Sequence, residues 1–185
     1  LGLFGAYIDG YSCAGVGPVA YGLAMQELER VDSGLRSFLS VHSSLAMGAI
    51  WLHGSASQKD YWLPRLASGE VISSFALTEP DAGSDAGSIR TTAVRDGDHY
   101  RLNGTKRFIT NADKAGLFTQ MARTDPDSQT SRGVSAFLVP AQTPGLSIGP
   151  PEQKMGQHGT QVCDVVLNDA EIPASALLGT EEGKG

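Results

Sequence analysis

The chain has 185 residues, 41% hydrophobic and 18% charged, with 14 Lys and Arg against 20 Asp and Glu for a net charge of −6. That length suffices for a real core, and the composition is globular, which excludes a disordered chain. The acidic balance excludes nucleic acid as the main partner, because neutralising phosphates takes clustered cations, although it is compatible with a local anion site.

The chain opens on "LGLFGAYIDG" without an initiator Met and closes on "GTEEGKG", and it reads as a piece of a longer protein. From Val19, the apolar residues Ala20, Leu23, Ala24, Leu28 and Val31 fall at helical spacing, with Gln26, Glu27, Glu29 and Arg30 on other faces. "VDSG" interrupts this helix, Ser33 and Gly34 supplying the stop and restart. A second helix follows, with a broad apolar face of Leu35, Phe38, Leu39, Val41, Leu45, Ala46 and Ile50. Ser57 is the expected cap of a third helix, which Pro64 should kink or shorten.

Near Gly69 the pattern changes. "VISSFAL", "HYRLNGTKRFIT", "LFTQMAR", "GVSAFLVP" and "QVCDVVLND" are short β-rich runs between Gly, Asp and Pro turns, which implies a small sandwich or barrel. Asn103-Gly104 predicts a hairpin turn, since both residues tolerate positive φ. The expected fold is therefore α+β: a helical part over residues 1–68, then a small β-barrel over 69–185. No apolar run reaches the length of a membrane span, so membrane insertion is not expected. Cys13 and Cys163 lie far apart and read as reduced thiols; neither they nor His42, His53 and His99 have metal-ligand spacing.

Two stretches carry chemistry. In "SFALTEPDAGSD" a strand runs into Thr78, Gly83 and Ser84, hydroxyls and unobstructed N–H groups of the kind a pyrophosphate takes from a concave loop. Asp81 and Asp85 would repel such a ligand, so they should face solvent or bond the loop's own backbone. Read alone, the loop is at least as well explained as a tight polar turn, and "KRFITN" is better explained as an ordinary strand end.

In order along the chain, "GSASQKDYWLPRLASGE", "FALTEPDAGSD", "LNGTKRFITN", "GLSIGPPEQKMG" and "EIPASALLG" resemble the N-terminal and middle domains of acyl-CoA dehydrogenases. The resemblance covers nearly the whole chain. It implies a helical domain, a middle β-barrel and a C-terminal helical bundle, the last absent from this sequence. It also implies FAD as cofactor: Phe75, Leu77 and Thr78 along the flavin, Gly83 and Ser84 at the pyrophosphate, Ser84 also meeting the acyl-CoA. Phe108, Ile109 and Thr110 would line the other side of the isoalloxazine, Phe108 replacing the commoner Trp.

"ELERVDSGLRSFLSVHSSL" is similar to the segment with which glutaryl-CoA dehydrogenases read a distal carboxylate, implying substrate roles for Arg36, Ser37 and Ser40. An Arg suits a carboxylate through paired hydrogen bonds, while the same residue read alone is equally a cation snorkelling to water. "MGQHGTQVCD" departs from the glutaryl-type pattern at Gln157 and His158 and looks more like short- or branched-chain enzymes, although His158 replaces the usual Arg even there. The implied reaction is α,β-dehydrogenation of an acyl-CoA thioester, its Glu base expected beyond this C-terminus, so this chain holds no expected catalytic residue; Glu79 is assigned a structural role at the strand end. The implied partners are acyl-CoA, an electron-transfer flavoprotein and further copies in a homotetramer, in the cytoplasm if bacterial or the mitochondrial matrix if eukaryotic. Acyl-CoA oxidases, flavin monooxygenases and non-dehydrogenating binding proteins share the scaffold.

Overall fold

A computed structural model describes residues 2–128 and 130–184. Four α-helices come first: α1 (Pro18–Val31), α2 (Ser33–Ser40), α3 (Gly48–His53) and α4 (Ala56–Ser68). A π-helical turn, Val41–Met47, joins α2 to α3 without a break, so the second predicted helix is one rod with a widened middle. In the widened turn the Ser43 carbonyl still takes the Gly48 N–H. It also accepts from the Tyr7 hydroxyl at 3.2 Å. Gly48 is required beside it, because a Cβ there would lie 2.7 Å from the same hydroxyl oxygen.

Several local expectations are corrected. Asp32, rather than Ser33 or Gly34, restarts the chain: it caps α2 by accepting from the Gly34 N–H at 2.7 Å. Ser55, not Ser57, caps α4, in a reciprocal capping box with Gln58. Pro64 does not shorten α4, which runs on to Ser68 and ends at Gly69 in the left-handed region. The apolar stripe of α1 buries no residue fully; Val19, Leu23 and Val31 stay exposed because α1 packs mainly along α2.

The remainder is a seven-stranded mixed sheet: β1 (Ser73–Ala76), β2 (Thr92–Asp96), β3 (His99–Thr110), β4 (Leu117–Arg123), β5 (Val134–Pro140), β6 (Leu146–Ile148) and β7 (Val162–Pro173). The order is β1-β4-β2-β3-β7-β6, with β5 antiparallel on β4. The sheet curls around Tyr100, Leu102, Phe118, Phe137, Val139 and Val165. Alternation turns Leu117 and Leu138 to its other face, where they meet Ile8, Met47, Ile50, Leu63 and Leu66 from the helical part. The helices therefore close one side of the β-layer.

Asn103-Gly104 makes no hairpin turn. It lies inside the long strand β3, opposite a bulge in β7 where Asp169 has φ 48°. The Asn103 amide grips that bulge, accepting from the Asp169 N–H at 2.8 Å and donating to its carboxylate at 3.0 Å. Gly104 is needed for close approach: a Cβ would fall 2.7 Å from the Thr91 Cα. The hairpin instead joins β2 to β3 around Gly97, φ 62°.

Candidate functional site

The site forms where the end of β1 meets the end of β3. The two strands do not pair in a ladder, yet three bonds hold them side by side. Ser74 Oγ donates to the Thr110 carbonyl at 2.7 Å, the Arg107 N–H to the Thr78 carbonyl at 2.8 Å, and Lys106 Nζ to the Leu77 carbonyl at 3.0 Å.

Beneath them lies a buried ion pair. Lys106 is fully buried and Glu79 is 7% exposed, with Nζ and Oε1 2.8 Å apart. The Glu79 carboxylate also accepts from the Arg90 N–H at 2.6 Å and the Thr91 N–H at 2.9 Å. One side chain thus clamps both ends of the loop from Glu79 to Thr91. Burial opposes its charge, but the Arg90 N–H and Lys106 outweigh that and hold the carboxyl below its ordinary range. Burial pulls the Lys106 ammonium down to about 8, against the attraction of Glu79, which leaves it mostly protonated at neutral pH. The structural role expected of Glu79 is what the geometry shows.

Above this base, Gly83 and Ser84 are exposed and Thr78 half-buried. Asp81 turns outward to Arg90 at 3.6 Å, and Asp85 takes the Ser88 hydroxyl. Phe75 is half-buried and lines a cavity of about 700 Å³ with Leu45, Leu52, Thr119, Met121 and Leu178.

On β3 the alternation of faces breaks. Lys106 pairs with Val165 and Ile109 with Cys163, so one extra residue is inserted at Arg107-Phe108. Phe108, at φ 58°, swings outward and is 55% exposed, whereas Ile109 turns into the core at 2%. The side chains presented here are thus Phe108 and the half-buried Thr110; Ile109 supports them from within.

The helical part is tied to the same point. Asn111, 1% exposed and at φ 67°, donates through Nδ2 to the Phe38 carbonyl of α2 at 3.0 Å and accepts from Thr160 Oγ1 at 2.7 Å. On α2, Arg36 is held by Glu29 at 2.6 Å, Ser37 donates to Gln157 at 2.9 Å, and Ser40 is half-buried one turn on. Gln157, which departs from the glutaryl-type pattern, therefore bonds a candidate substrate residue. His158 is exposed, as is His53. Among the described residues no cluster of His, Cys, Asp or Glu could hold a metal ion.

Lys106 and Asn111 were quoted in the sequence motifs without a role. Their identity was the available signal: a Lys in a strand and an Asn at its end must both find partners if buried.

The family model "Acyl-CoA dehydrogenase, N-terminal domain" matches residues 1–70, and "Acyl-CoA dehydrogenase, middle domain" matches residues 74–170. The chain belongs to the acyl-CoA dehydrogenase family. It is 43% identical over its whole length to an acyl-CoA dehydrogenase of Bacillus subtilis (strain 168), covering 48% of that protein. It is 44% identical over 93% of its length to the mitochondrial short-chain specific acyl-CoA dehydrogenase of Homo sapiens, covering 41% of it. A crystal structure of glutaryl-CoA dehydrogenase from Mycobacterium smegmatis in complex with FADH2 superposes with a TM-score of 0.92 at 46% identity, over 99% of this chain and 46% of that one. The chain thus spans about half the length of the curated relatives it matches.

Proposed function

We propose that the protein containing this chain is an FAD-dependent acyl-CoA dehydrogenase that introduces an α,β double bond into an acyl-CoA thioester. The observation that carries this is the convergence of Thr78, next to the loop that holds Gly83 and Ser84, with the end of β3 that presents Phe108 and Thr110, through the bonds from Ser74, Lys106 and Arg107. The donor set suits a flavin nucleotide: neutral hydroxyls at a strand end, an exposed aromatic ring, and an exposed glycine, Gly83, where an added Cβ would meet only Thr78 Cγ2 at 4.0 Å. When bound, FAD supplies the acceptor for the hydride leaving the β carbon.

The chain's own residues bind and orient. Thr78 and Thr110 offer hydroxyls to the ring system, Phe75 and Leu77 flank it, Phe108 walls its edge, and Gly83 and Ser84 take the pyrophosphate, Ser84 also reaching the acyl-CoA. The buried Glu79–Lys106 pair keeps these groups in place. Arg36, Ser37 and Ser40 on α2 form the candidate reader of the distal end of the acyl group, with a dicarboxylyl-CoA such as glutaryl-CoA as the substrate class Arg36 suits. An electron-transfer flavoprotein as acceptor and a homotetrameric assembly complete the reading. Among the described residues no helix is long and apolar enough to cross a membrane.

The test is the full-length protein. It should purify with FAD, bleach on addition of an acyl-CoA under anaerobic conditions, and reoxidise slowly in air. Protein that neither carries nor takes up FAD overturns the reading, and rapid reoxidation by oxygen would reassign it to the oxidases of the same scaffold.

A further inference from the structure

We propose that Arg107 is a positioning residue that holds the Phe108 ring in place by stacking on one of its faces, an inference that rests on the flavin reading above. The bulge in β3 is what makes the pairing available. In a regular strand Arg107 and Phe108 would point to opposite faces. With one residue inserted between Lys106 and Ile109, both side chains emerge on the outer face, and the Arg107 guanidinium carbon stands 4.8 Å from the Phe108 ring centroid.

The guanidinium is held from its other side. Nη1 lies 3.4 Å from Asp164 Oδ2 on β7, and Nη2 lies 3.5 Å from Glu152 Oε1 in the preceding segment. Two carboxylates anchored on different elements fix the plane of the fork, which a single ammonium could not do. The Arg107 N–H meanwhile bonds the Thr78 carbonyl at 2.8 Å, so one residue touches both signature segments.

The consequence concerns the ring. Phe108 is 55% exposed and held by left-handed backbone away from the core, so nothing in the core fixes its χ angles. A cation on one face is attracted by the ring's quadrupole and reduces its rotation. The other face is left for the flavin. Arg107 thereby converts an exposed, mobile aromatic into a fixed wall.

The experiment compares Arg107→Met, Arg107→Lys, Phe108→Leu and the double variant Arg107→Met/Phe108→Leu in the full-length holoenzyme. It reads the rate of FAD release by recovery of flavin fluorescence, and the visible circular dichroism of the bound flavin. The expected result is release roughly two- to fivefold faster in Arg107→Met with an altered dichroic band, and partial rescue in Arg107→Lys. In the Phe108→Leu background, Arg107→Met should add nothing. Equal effects of Arg107→Met in both backgrounds would overturn the proposal, since the Arg107 side chain would then act through its ion pairs with Asp164 and Glu152 and not through the ring. An unchanged release rate and spectrum in Arg107→Met would overturn it too. A wild-type protein that never binds FAD overturns the flavin reading, and that outcome is visible before any variant is made.

Discussion

His42 Nδ1 accepts two hydrogen bonds from one residue, the Ser73 N–H and the Ser73 Oγ–H, each at 3.0 Å, with both residues fully buried. The other ring nitrogen donates to the Leu66 carbonyl at the end of α4, also at 3.0 Å. One imidazole therefore joins the π-helical turn, the last turn of α4 and the first residue of β1, with the Phe4 ring edge-on at 4.5 Å. Because Nδ1 only accepts, His42 is neutral with its proton on Nε2.

This tautomer gives a pH dependence. Burial lowers the His42 pKa from 6.5, against the opposing pull of the bond to Leu66. As pH falls below about 6.5 the unfolded chain binds a proton that the folded chain resists, so stability is present above that value and is lost towards acid. Thermal unfolding between about pH 7 and 5 should show a falling midpoint. His42→Gln should flatten that slope and destabilise by about 1–3 kcal/mol at neutral pH, since it leaves a buried partner unpaired. A slope unchanged in His42→Gln would assign the acid sensitivity to other groups.

Lys106→Met should be among the costliest single changes near the site. It leaves the Glu79 carboxylate buried without its cation, at a cost of about 3–5 kcal/mol, and releases the Leu77 carbonyl. Adding Glu79→Gln should recover part of that loss by removing the stranded charge. Urea unfolding of the two variants in the full-length protein checks both signs.

Gly104→Ala should destabilise through β3. The new methyl group meets the backbone of Thr91, which cannot move without disturbing the Glu79 bond to the Thr91 N–H. The expected cost is about 1–3 kcal/mol by thermal denaturation. Gly97→Ala, at φ 62° and in open space, serves as the comparison for positive φ without a clash, whereas Gly104 at φ 151° adds backbone strain of its own.

Arg36 is predicted to read the far end of the acyl group. Its side chain is about one-third exposed and is already oriented by Glu29. A guanidinium meeting a carboxylate there should contribute about 1.5–3 kcal/mol, or roughly ten- to a hundredfold in kcat/KM. Arg36→Ala should therefore depress turnover of dicarboxylyl-CoA by that factor and spare straight-chain acyl-CoA. Equal losses for both would show that Arg36, through Glu29, serves only to join α1 to α2.

The helices and most of the strands were legible in the residues because periodicity is a local property, whereas the two signature segments stood out only through their resemblance to the family. Phe118, Phe137 and Val139 against Leu117 and Leu138 show the alternation that a half-buried strand writes into its own sequence. The β3 bulge left no such trace. Whether Phe108 faces the core or the solvent depends on a register against β7, and Asn103-Gly104 looks like a turn until Asp169 is found opposite it. The polar anchors were hidden for the same reason. Lys106 finds Leu77 29 residues away, and Asn111 finds Phe38 73 residues away. A buried polar group must be paired, but its own neighbours in sequence do not say with what. The chain's pattern of apolar and polar residues specifies which segments become helix or strand; the partners of its buried charges, and hence the shape of the site, come from segments brought together only when the sheet curls and the helices dock on it.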